Sequence, residues 1–277
     1  MRSLALAASL TTPVNPDEPF VAEYRLLWCS LPKHPAVAAG HSVESHGKDA
    51  SSQFMSSKDR SWLFVYERLP KTTKSRASYS EADAEAFAQR LVELFIAPDT
   101  KLRDVFSSRY TAGVANVEEG MLKNWSWDRI VLVGDAVHKL TPNSGQGYNS
   151  GLQDIVVLVN ELHKALSSSD GGHLSQDTLA EVFSRYQTLR FKTTTDDCKN
   201  SNTIIRMSCW QNWVFWLMDR FVLPYLPIIV TLRVNTSIAG TIKNAHVVDF
   251  VDGDEPFEGK VPWTHRIPRP RQKREFG

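Results

Sequence analysis

One segment, residues 129–154, holds the side chains best suited to chemistry. The β-branched run at residues 130–133 predicts a buried parallel strand, after which Gly134 permits a tight turn and Asp135 places a carboxylate at the strand's end. Ligand crevices open at that end of the strands in open α/β sheets. A carboxylate there can accept hydrogen bonds from ribose-like or ribityl hydroxyls, whereas bare phosphate would require an intervening cation or backbone donors.

The second half of the segment places two glycines at the start of a predicted helix. Gly145 and Gly147 flank Gln146, and the helix is predicted over residues 148–166. Glycines at this point let the backbone approach a flat ligand closely. The free N–H groups and the dipole of the helix would stabilise negative charge that develops on that ligand.

Four other interpretations of the segment have to be compared with this one. A pyrophosphate-binding loop is excluded because Ser150 stands where a third glycine is needed. Asp135 and His138 lack a third metal ligand nearby, so we predict no metal site. Ser144 with His138 and Asp135 lacks the GxSxG turn of a hydrolase nucleophile. A strand-to-helix connection that merely needs two glycines stays open as the fourth interpretation.

The elements around this segment predict a mixed α and β protein. Residues 23–30 and 61–69 have the composition of strands, and the polar stretch 32–58 between them predicts a long surface connection. Ser80 and Asp83 have the spacing of a capping box. Apolar residues at helical spacing then predict a helix that continues until Pro98: Phe87, Leu91, Leu94 and Phe95.

Two further amphipathic helices are predicted downstream. The first, over residues 148–166, carries one apolar face, formed by Leu152, Ile155, Val156, Val159 and Leu162. The second is marked by Leu179, Phe183, Tyr186 and Leu189.

Composition excludes several classes of protein. The 277 residues are 42% hydrophobic and 23% charged, which is sufficient for a globular core. Thirty-two Lys and Arg residues against thirty-one Asp and Glu leave a net charge of +1, so no global field attracts nucleic acid. The three cysteines form no CxxC pair and favour a reducing compartment over a disulfide framework.

The apolar segments are too short to span a membrane. Residues 1–10 contain a brief Leu and Ala run, and residues 221–232 are apolar but interrupted by Pro224 and Pro227. The latter run is either an interfacial element or a cover over a pocket, and basic residues follow it: Arg266, Arg269, Arg271, Lys273 and Arg274. We therefore expect a cytoplasmic protein or one that lies peripherally on an intracellular membrane.

Taken together, residues 129–154 resemble the GDAAH...P..G.G.N...ED motif of the class A FAD-dependent monooxygenases. The fuller spelling, with Trp125 and the run at residues 117–120 upstream, resembles the fungal branch that acts on terpenoids and meroterpenoids, such as the paspaline-type epoxidases. Residues 20–27, 65–68 and 186–190 and the aromatic C-terminal region add weaker matches, so the resemblance covers nearly all of residues 1–265.

The resemblance implies a site for FAD, formed by Asp135, Pro142, Gly145, Gln146, Gly147, Tyr148 and Asn149. Asp135 would bind the ribityl or ribose part, Pro142 would lie near the reactive edge of the isoalloxazine, and the glycine pair would present amides to its pyrimidine ring. The helix that begins at Tyr148 would point its positive end at the same ring. Such enzymes reduce FAD with NAD(P)H and use O2 to hydroxylate or epoxidise a hydrophobic small molecule; no catalytic residue is implied.

One departure from the family pattern affects this expectation. The 277 residues contain no GxGxxG, so the sequence resembles the C-terminal part of these enzymes. We expect a fold with part of a Rossmann-like FAD-binding domain, a β-sheet substrate domain and a helical, hydrophobic C-terminal region. The predicted divisions are 1–110 for the substrate domain, 111–200 for the FAD-binding part and 201–277 for the C-terminal region. The alternative function is a flavin-free binding protein that keeps the hydrophobic pocket. Without the glycine turn and helix start that bind the pyrophosphate, we expect the 277-residue chain to lose most of its anchoring of FAD and to purify colourless.

Overall fold

The computed structural model describes residues 1–8, 14–169, 172–226, 243–255 and 262–268. Within these ranges, long antiparallel strands and two long helices alternate with short turns, which confirms the predicted mixed class. The strands are Val21–Pro32 (β1), Ser42–His46 (β2), Ala50–Ser56 (β3), Arg60–Thr73 (β4), Phe95–Ala97 (β5), Thr100–Lys101 (β6), Thr111–Met121 (β7), Ser126–Trp127 (β8), Ile130–Val131 (β9) and His138–Lys139 (β10).

The α-helices of the described residues are Arg2–Ala8 (α1), Glu81–Arg90 (α2), Leu102–Phe106 (α3), Gly147–Ser167 (α4), Gln176–Ser208 (α5) and Trp213–Leu217 (α6). A π-helical turn, Met218–Val222, and a 3-10 turn, Leu223–Tyr225, follow α6. We call residues 210–225 the aromatic segment. None of the helices described here combines the length and the apolar character needed to cross a bilayer.

Six strands form the main sheet in the order β10-β7-β1-β4-β3-β2, and each neighbouring pair is antiparallel. One face of this sheet packs on α2 and α3, because alternate residues of β1 and β4 are apolar on that side. Burial of these side chains forms the apolar core, which includes Leu27, Phe54, Leu63, Val65 and Phe87. The opposite face packs against the last turns of α5 through Tyr24 and Ile205.

The predicted strands at residues 23–30 and 61–69 are confirmed as β1 and β4, but the predicted surface connection between them is wrong. Residues 32–58 contain β2 and β3, and most of β3 is buried. The serines of β3 make its sequence polar, which is why no buried strand was predicted there. Two of them pair with other side chains, because Ser51 Oγ lies 3.2 Å from Cys209 Sγ and Ser56 Oγ lies 2.6 Å from Ser61 Oγ, whereas Ser52 Oγ is buried without a hydrogen-bond partner among the described residues.

The capping box at Ser80 and Asp83 is confirmed, yet the helix it starts is shorter than predicted. Helix α2 ends at Arg90, and Phe95 belongs to β5. The chain leaves the helical path because Leu94 N–H donates to Leu91 O in a turn, and Leu102 N–H then donates back to Leu94 O. This reversal buries Ile96 fully in the apolar core. The free energy gained by this burial exceeds the helix propensity that is lost when the helix ends.

Two further predictions around the motif need correction. Residues 130–133 do not form a buried parallel strand: the strand is limited to Ile130–Val131, which is half-buried and pairs antiparallel with β8. Helix α4 is confirmed, but its predicted apolar face is not its buried face, since Leu152 and Ile155 are 43% and 47% exposed. In α5, Leu189 is likewise exposed, whereas the other predicted apolar markers are buried.

Candidate functional site

Two tight turns and the start of α4 form the centre of the candidate site. The first, Gly134–Ala136, carries Asp135, which is exposed, and the second, Pro142–Ser144, ends at Gly145. We call the second one the Pro142 turn. Gly134 and Gly145 have φ values of 57° and 65°, a region that side chains disfavour. Glycine therefore permits both turns that carry the predicted site residues.

The space in front of α4 is open. Apart from the adjoining residues of its own turn or helix, no described atom lies within 4 Å of the position that a Cβ would take at Gly145 or Gly147. The side-chain amide of Asn143 and Oε1 of Gln146 are buried without a hydrogen-bond partner among the described residues. Buried polar atoms are normally paired, and the first N–H groups of a helix also lack partners within it. The start of α4 therefore offers polar groups to a ligand.

A cavity of about 440 Å³ lies beside this opening. Its wall combines the start of α4, one side of α5 and the C-terminal part of the chain, and includes Gly145, Gln146, Asn149, Arg190, Asp197 and His246. Three of the seven predicted FAD-site residues are thus brought together there. The other four do not line the cavity: Asp135, Pro142, Gly147 and Tyr148.

Behind the turns lies a buried group of polar side chains that we call the polar junction: His138, Ser150, Asp154, Arg190 and Asp197. Asp154 Oδ2 accepts from Gly134 N–H at 2.8 Å and lies 2.7 Å from His138 Nε2, while its Oδ1 accepts from Arg190 Nε at 2.8 Å. The side chains of His138 and Asp154 are fully buried, and that of Arg190 nearly so. One carboxylate thus fixes the Gly134 turn, β10, α4 and α5 relative to one another.

Ser150 extends the junction toward the cavity. Arg190 Nη2 donates to both Ser150 O and Ser150 Oγ at 3.1 Å, and Ser150 Oγ donates to Asp197 Oδ2, also at 3.1 Å. Helix α4 can approach the Gly134 turn this closely because Gly151 has no side chain: a Cβ there would lie 3.3 Å from Gly134 Cα. The buried side of α4 is therefore mainly polar, which explains why its apolar residues face outward.

The pKa values of the two carboxylates in the junction are shifted in opposite directions. Burial raises the pKa of Asp154, but the hydrogen bonds from His138 and Arg190 outweigh it and hold this pKa below its usual range. Burial raises the pKa of Asp197, for which the Ser150 hydroxyl is the direct hydrogen-bond donor found among the described residues. Asp154 is therefore the stable anion of the junction, and Asp197 is the carboxyl that holds its proton more readily.

Asp154 and Arg190 were given no role from the sequence, although both end segments of the resemblance. A signal was present in the spacing, because Ser150, Asp154 and Val157 recur on one face of a helix at four and three residues. His138, considered above with Asp135 for a metal, instead lies against Asp154. The described residues contain no group of three His, Cys, Asp or Glu that could hold a metal ion.

The family of the chain follows from comparison of its sequence with known proteins. A family model described as "FAD binding domain" matches residues 30–180, which is more than half of the chain. The chain therefore belongs to the FAD binding domain family, and FAD is the cofactor of that family. This result confirms the predicted resemblance to flavin enzymes.

Similar curated proteins are fungal and are named FAD-dependent monooxygenases. SAT1 of Stachybotrys chartarum is 37% identical over 71% of this chain and 66% of its own length. The protein trt8 of Aspergillus terreus is 27% identical over 92% of this chain and 63% of its own length, and srdH of Neurospora crassa is 34% identical over 78% and 49%. The chain thus spans about half to two thirds of the length of these relatives.

Solved structures support the same fold. A variant of Klebsiella pneumoniae HpxO complexed with FAD aligns with a TM-score of 0.59 at 17% identity, over 83% of this chain and 55% of that one. The tetracycline destructase Tet(51) aligns with a TM-score of 0.55 at 15% identity, over 84% of this chain and 57% of that one. At these identities the likeness concerns the fold alone.

Proposed function

We propose that the chain forms the flavin-ring and substrate part of an FAD-dependent monooxygenase that hydroxylates or epoxidises a hydrophobic, terpenoid-like intermediate. The observation that carries this proposal is the open start of α4 after Gly145, where polar groups of Asn143 and Gln146 are buried without partners among the described residues. Names of the fungal relatives support the reaction class.

The residues at this opening fit an isoalloxazine. A flat ring with carbonyl and amide edges would satisfy the side chain of Asn143 and would approach Gly145 and Gly147 without steric conflict. Asp135, exposed on its turn, would accept hydrogen bonds from ribityl or ribose hydroxyls. Bound FAD supplies electron transfer from NAD(P)H and activation of O2. The amides at the start of α4 would stabilise negative charge on the ring, and Pro142 would lie near its reactive edge.

We assign the substrate to the face of the main sheet that points away from the apolar core. Leu26 and Phe64 lie on this face near Trp28 and Trp62, which are 39% and 36% exposed. Large aromatic surfaces of this kind favour an apolar ligand. The division into 1–110, 111–200 and 201–277 remains part of this proposal.

Titration of the purified 277-residue chain with FAD tests the proposal. We expect saturable quenching of flavin fluorescence, and Asp135→Asn should weaken binding by about 1 to 3 kcal/mol because it removes a charged hydroxyl acceptor. Asp128→Asn is the matched control, since Asp128 is an exposed carboxylate in the neighbouring β8–β9 turn. This control should bind FAD like the wild type.

One result would decide against the proposal, and another would decide against the role of Asp135. Absence of saturable FAD binding would favour the flavin-free binding protein, whose cavity beside α4 would then take another ligand. Equal FAD affinities of Asp135→Asn and Asp128→Asn would remove Asp135 from the site and leave the rest of the proposal unchanged.

We also propose peripheral contact between a membrane surface and the apolar run at residues 221–232, together with the aromatic segment that it overlaps; residues 227–232 lie outside the described residues. Trp213 and Tyr225 are 73% and 79% exposed, and Phe221 is half exposed. Such side chains favour the interface of a bilayer. Of the basic residues predicted to assist, Arg266 pairs with Glu255, and the other four lie outside the described residues. Flotation of the protein with anionic vesicles tests this contact, and salt should release the bound protein. Release only by detergent would contradict the proposal.

A further inference from the structure

A chain of polar side chains connects the aromatic segment to the Pro142 turn across the edge of the main sheet. Its members come from the π-helical turn, from β2 and β3 and from the Pro142 turn itself: Asp219, His46, Glu44, Gln53 and Asn143. Every neighbouring pair in this chain is within hydrogen-bond distance. The contacts therefore form one continuous path between two regions that are distant in the sequence.

His46 occupies the centre of the path. Its Nδ1 lies 2.8 Å from Asp219 Oδ1, and its Nε2 lies 3.4 Å from Glu44 Oε2. The other oxygen of Asp219 accepts from Trp210 Nε1 at 2.7 Å, so Asp219 is held at both oxygens. The side chain of Asp219 is largely buried and that of His46 is 27% exposed. His46 is therefore placed between two carboxylates of separate elements.

Gln53 carries the path to the Pro142 turn. Its Nε2 donates to Glu44 Oε1 and to the backbone oxygen of Asn143, each at 2.9 Å. Its Oε1 accepts from the Tyr66 hydroxyl at 3.1 Å. Both ends of the amide are thus occupied, and its orientation is fixed. Movement of Glu44 would consequently alter the position of the turn that ends at Gly145.

The protonation state of His46 decides whether the path is complete. A protonated imidazole donates from both ring nitrogens, whereas a neutral one donates from one only. The shorter contact, to Asp219, retains that single proton in the neutral form. The longer contact, to Glu44, then loses its donor, and two lone pairs face each other.

We propose that His46 is a positioning residue that, when protonated, couples the aromatic segment to the Pro142 turn, and that its deprotonation breaks this coupling at Glu44. The ionisable groups that face His46 are Glu44 from its own strand and Asp219 from the π-helical turn, with Tyr66 of β4 one step further along the path. The coupling itself does not require flavin, whereas any effect on oxygenation rests on the proposed function.

The electrostatics agree with this arrangement. The hydrogen bonds to Glu44 and Asp219 raise the pKa of His46 despite its partial burial, and the hydrogen bond from His46 lowers the pKa of Glu44. A raised histidine pKa means that the protonated link is present at low pH. It is lost as the pH rises through this raised value.

Hydrogen exchange at residues 141–149 tests the coupling without bound flavin. At about pH 5.5, Asp219→Asn and His46→Gln should each speed exchange there about fivefold, as expected for loss of one hydrogen bond, while at about pH 8 neither should change it. Rates are compared after correction for intrinsic exchange. His41→Gln is the matched control, because His41 is exposed and lies five residues before His46; it should match the wild type at both pH values.

A second measurement tests the proposal even if the Asp219 or His46 variant fails to fold. The NMR titration of His46 in the wild type should have a midpoint above about 6.5, and Glu44→Gln on the edge strand should lower it. The proposal is overturned if the Asp219 variant leaves exchange at residues 141–149 unchanged at low pH, changes it equally at both pH values, or is matched by His41→Gln. An unchanged His46 midpoint in Glu44→Gln would overturn it as well.

Discussion

The apolar core and the polar junction are both buried, but different forces hold them. The apolar core joins the main sheet to α2 and α3 through side chains such as Leu27 and Phe54, which make no directed contacts. The polar junction joins the Gly134 turn, β10, α4 and α5 through ion pairs and hydrogen bonds centred on Asp154. The first region stabilises the fold, whereas the second also sets the geometry of the site.

The two regions differ in how they respond to substitution of a side chain. Apolar packing depends on volume and shape, so similar side chains can replace one another at modest cost. A buried polar network depends on every partner, because removal of one leaves the others desolvated and unpaired. The junction holds the Gly134 turn through Asp154 and includes Ser150 near the start of α4, so it contacts both sides of the candidate site. Rigid placement of this site therefore depends on directed contacts more than on burial.

The largest expected effect is that of Asp154→Ala. It removes the acceptor of three hydrogen bonds and leaves the Arg190 charge buried without its partner, which should reduce the free energy of unfolding by about 3 to 5 kcal/mol. Urea denaturation measures this loss. The control, Asp196→Ala, breaks only an exposed pair with Lys192 and should cost less than about 1 kcal/mol. Similar losses in the two variants would contradict the role of the junction.

Leu27→Ala tests the other region. Leu27 is fully buried in the apolar core, so the cavity left behind should cost about 2 to 5 kcal/mol. Leu189→Ala is the control, because Leu189 is 46% exposed and its loss should change stability by about 0.5 kcal/mol or less. In contrast to Asp154→Ala, the folded Leu27 variant should keep the wild-type affinity for FAD. Weakened FAD binding here would break the distinction between the regions.

The sequence predicted the apolar region better than the polar one. The strand-like composition of β1 and β4 and the capping box of α2 are local patterns, and each of these elements appears where it was predicted. Strand β3 was not predicted because its buried serines make its sequence polar, and the partner of Ser51, Cys209, is distant in sequence. A local pattern carries no information about such partners.

The same reason explains the errors around the site. An apolar stripe on α4 predicts a buried face, but the junction buries Asp154 and Ser150 instead and leaves Leu152 exposed. Recognition of that arrangement requires Arg190, which lies 36 residues further along the chain. The glycines at 134 and 145, whose positive φ values are local requirements, could be predicted from the sequence.

A smaller effect is expected for Gly145→Ala, which tests whether backbone conformation also positions the site. With φ at 65° and open space around it, the added methyl group meets no atom and acts only through backbone strain, at a cost of about 1 kcal/mol. Gly145→Asn should cost less, because asparagine adopts this conformation more readily. Thermal unfolding of the two variants measures the difference, and equal losses would show that strain is not the cause.

The smallest expected effect, and the only stabilising one, is that of Asp197→Asn. Burial raises the pKa of Asp197, so the folded protein holds this proton more tightly than the unfolded chain. Wild-type stability should therefore fall as the pH rises from the unfolded pKa of about 3.9 through the raised folded value. Asparagine removes this penalty and can still accept the hydrogen bond from Ser150. We expect a gain within about 1 kcal/mol at neutral pH that disappears near about pH 3.5, measured by urea denaturation at both pH values. A loss at neutral pH would instead mean that ionised Asp197 supports Arg190, and that the junction requires both of its carboxylates.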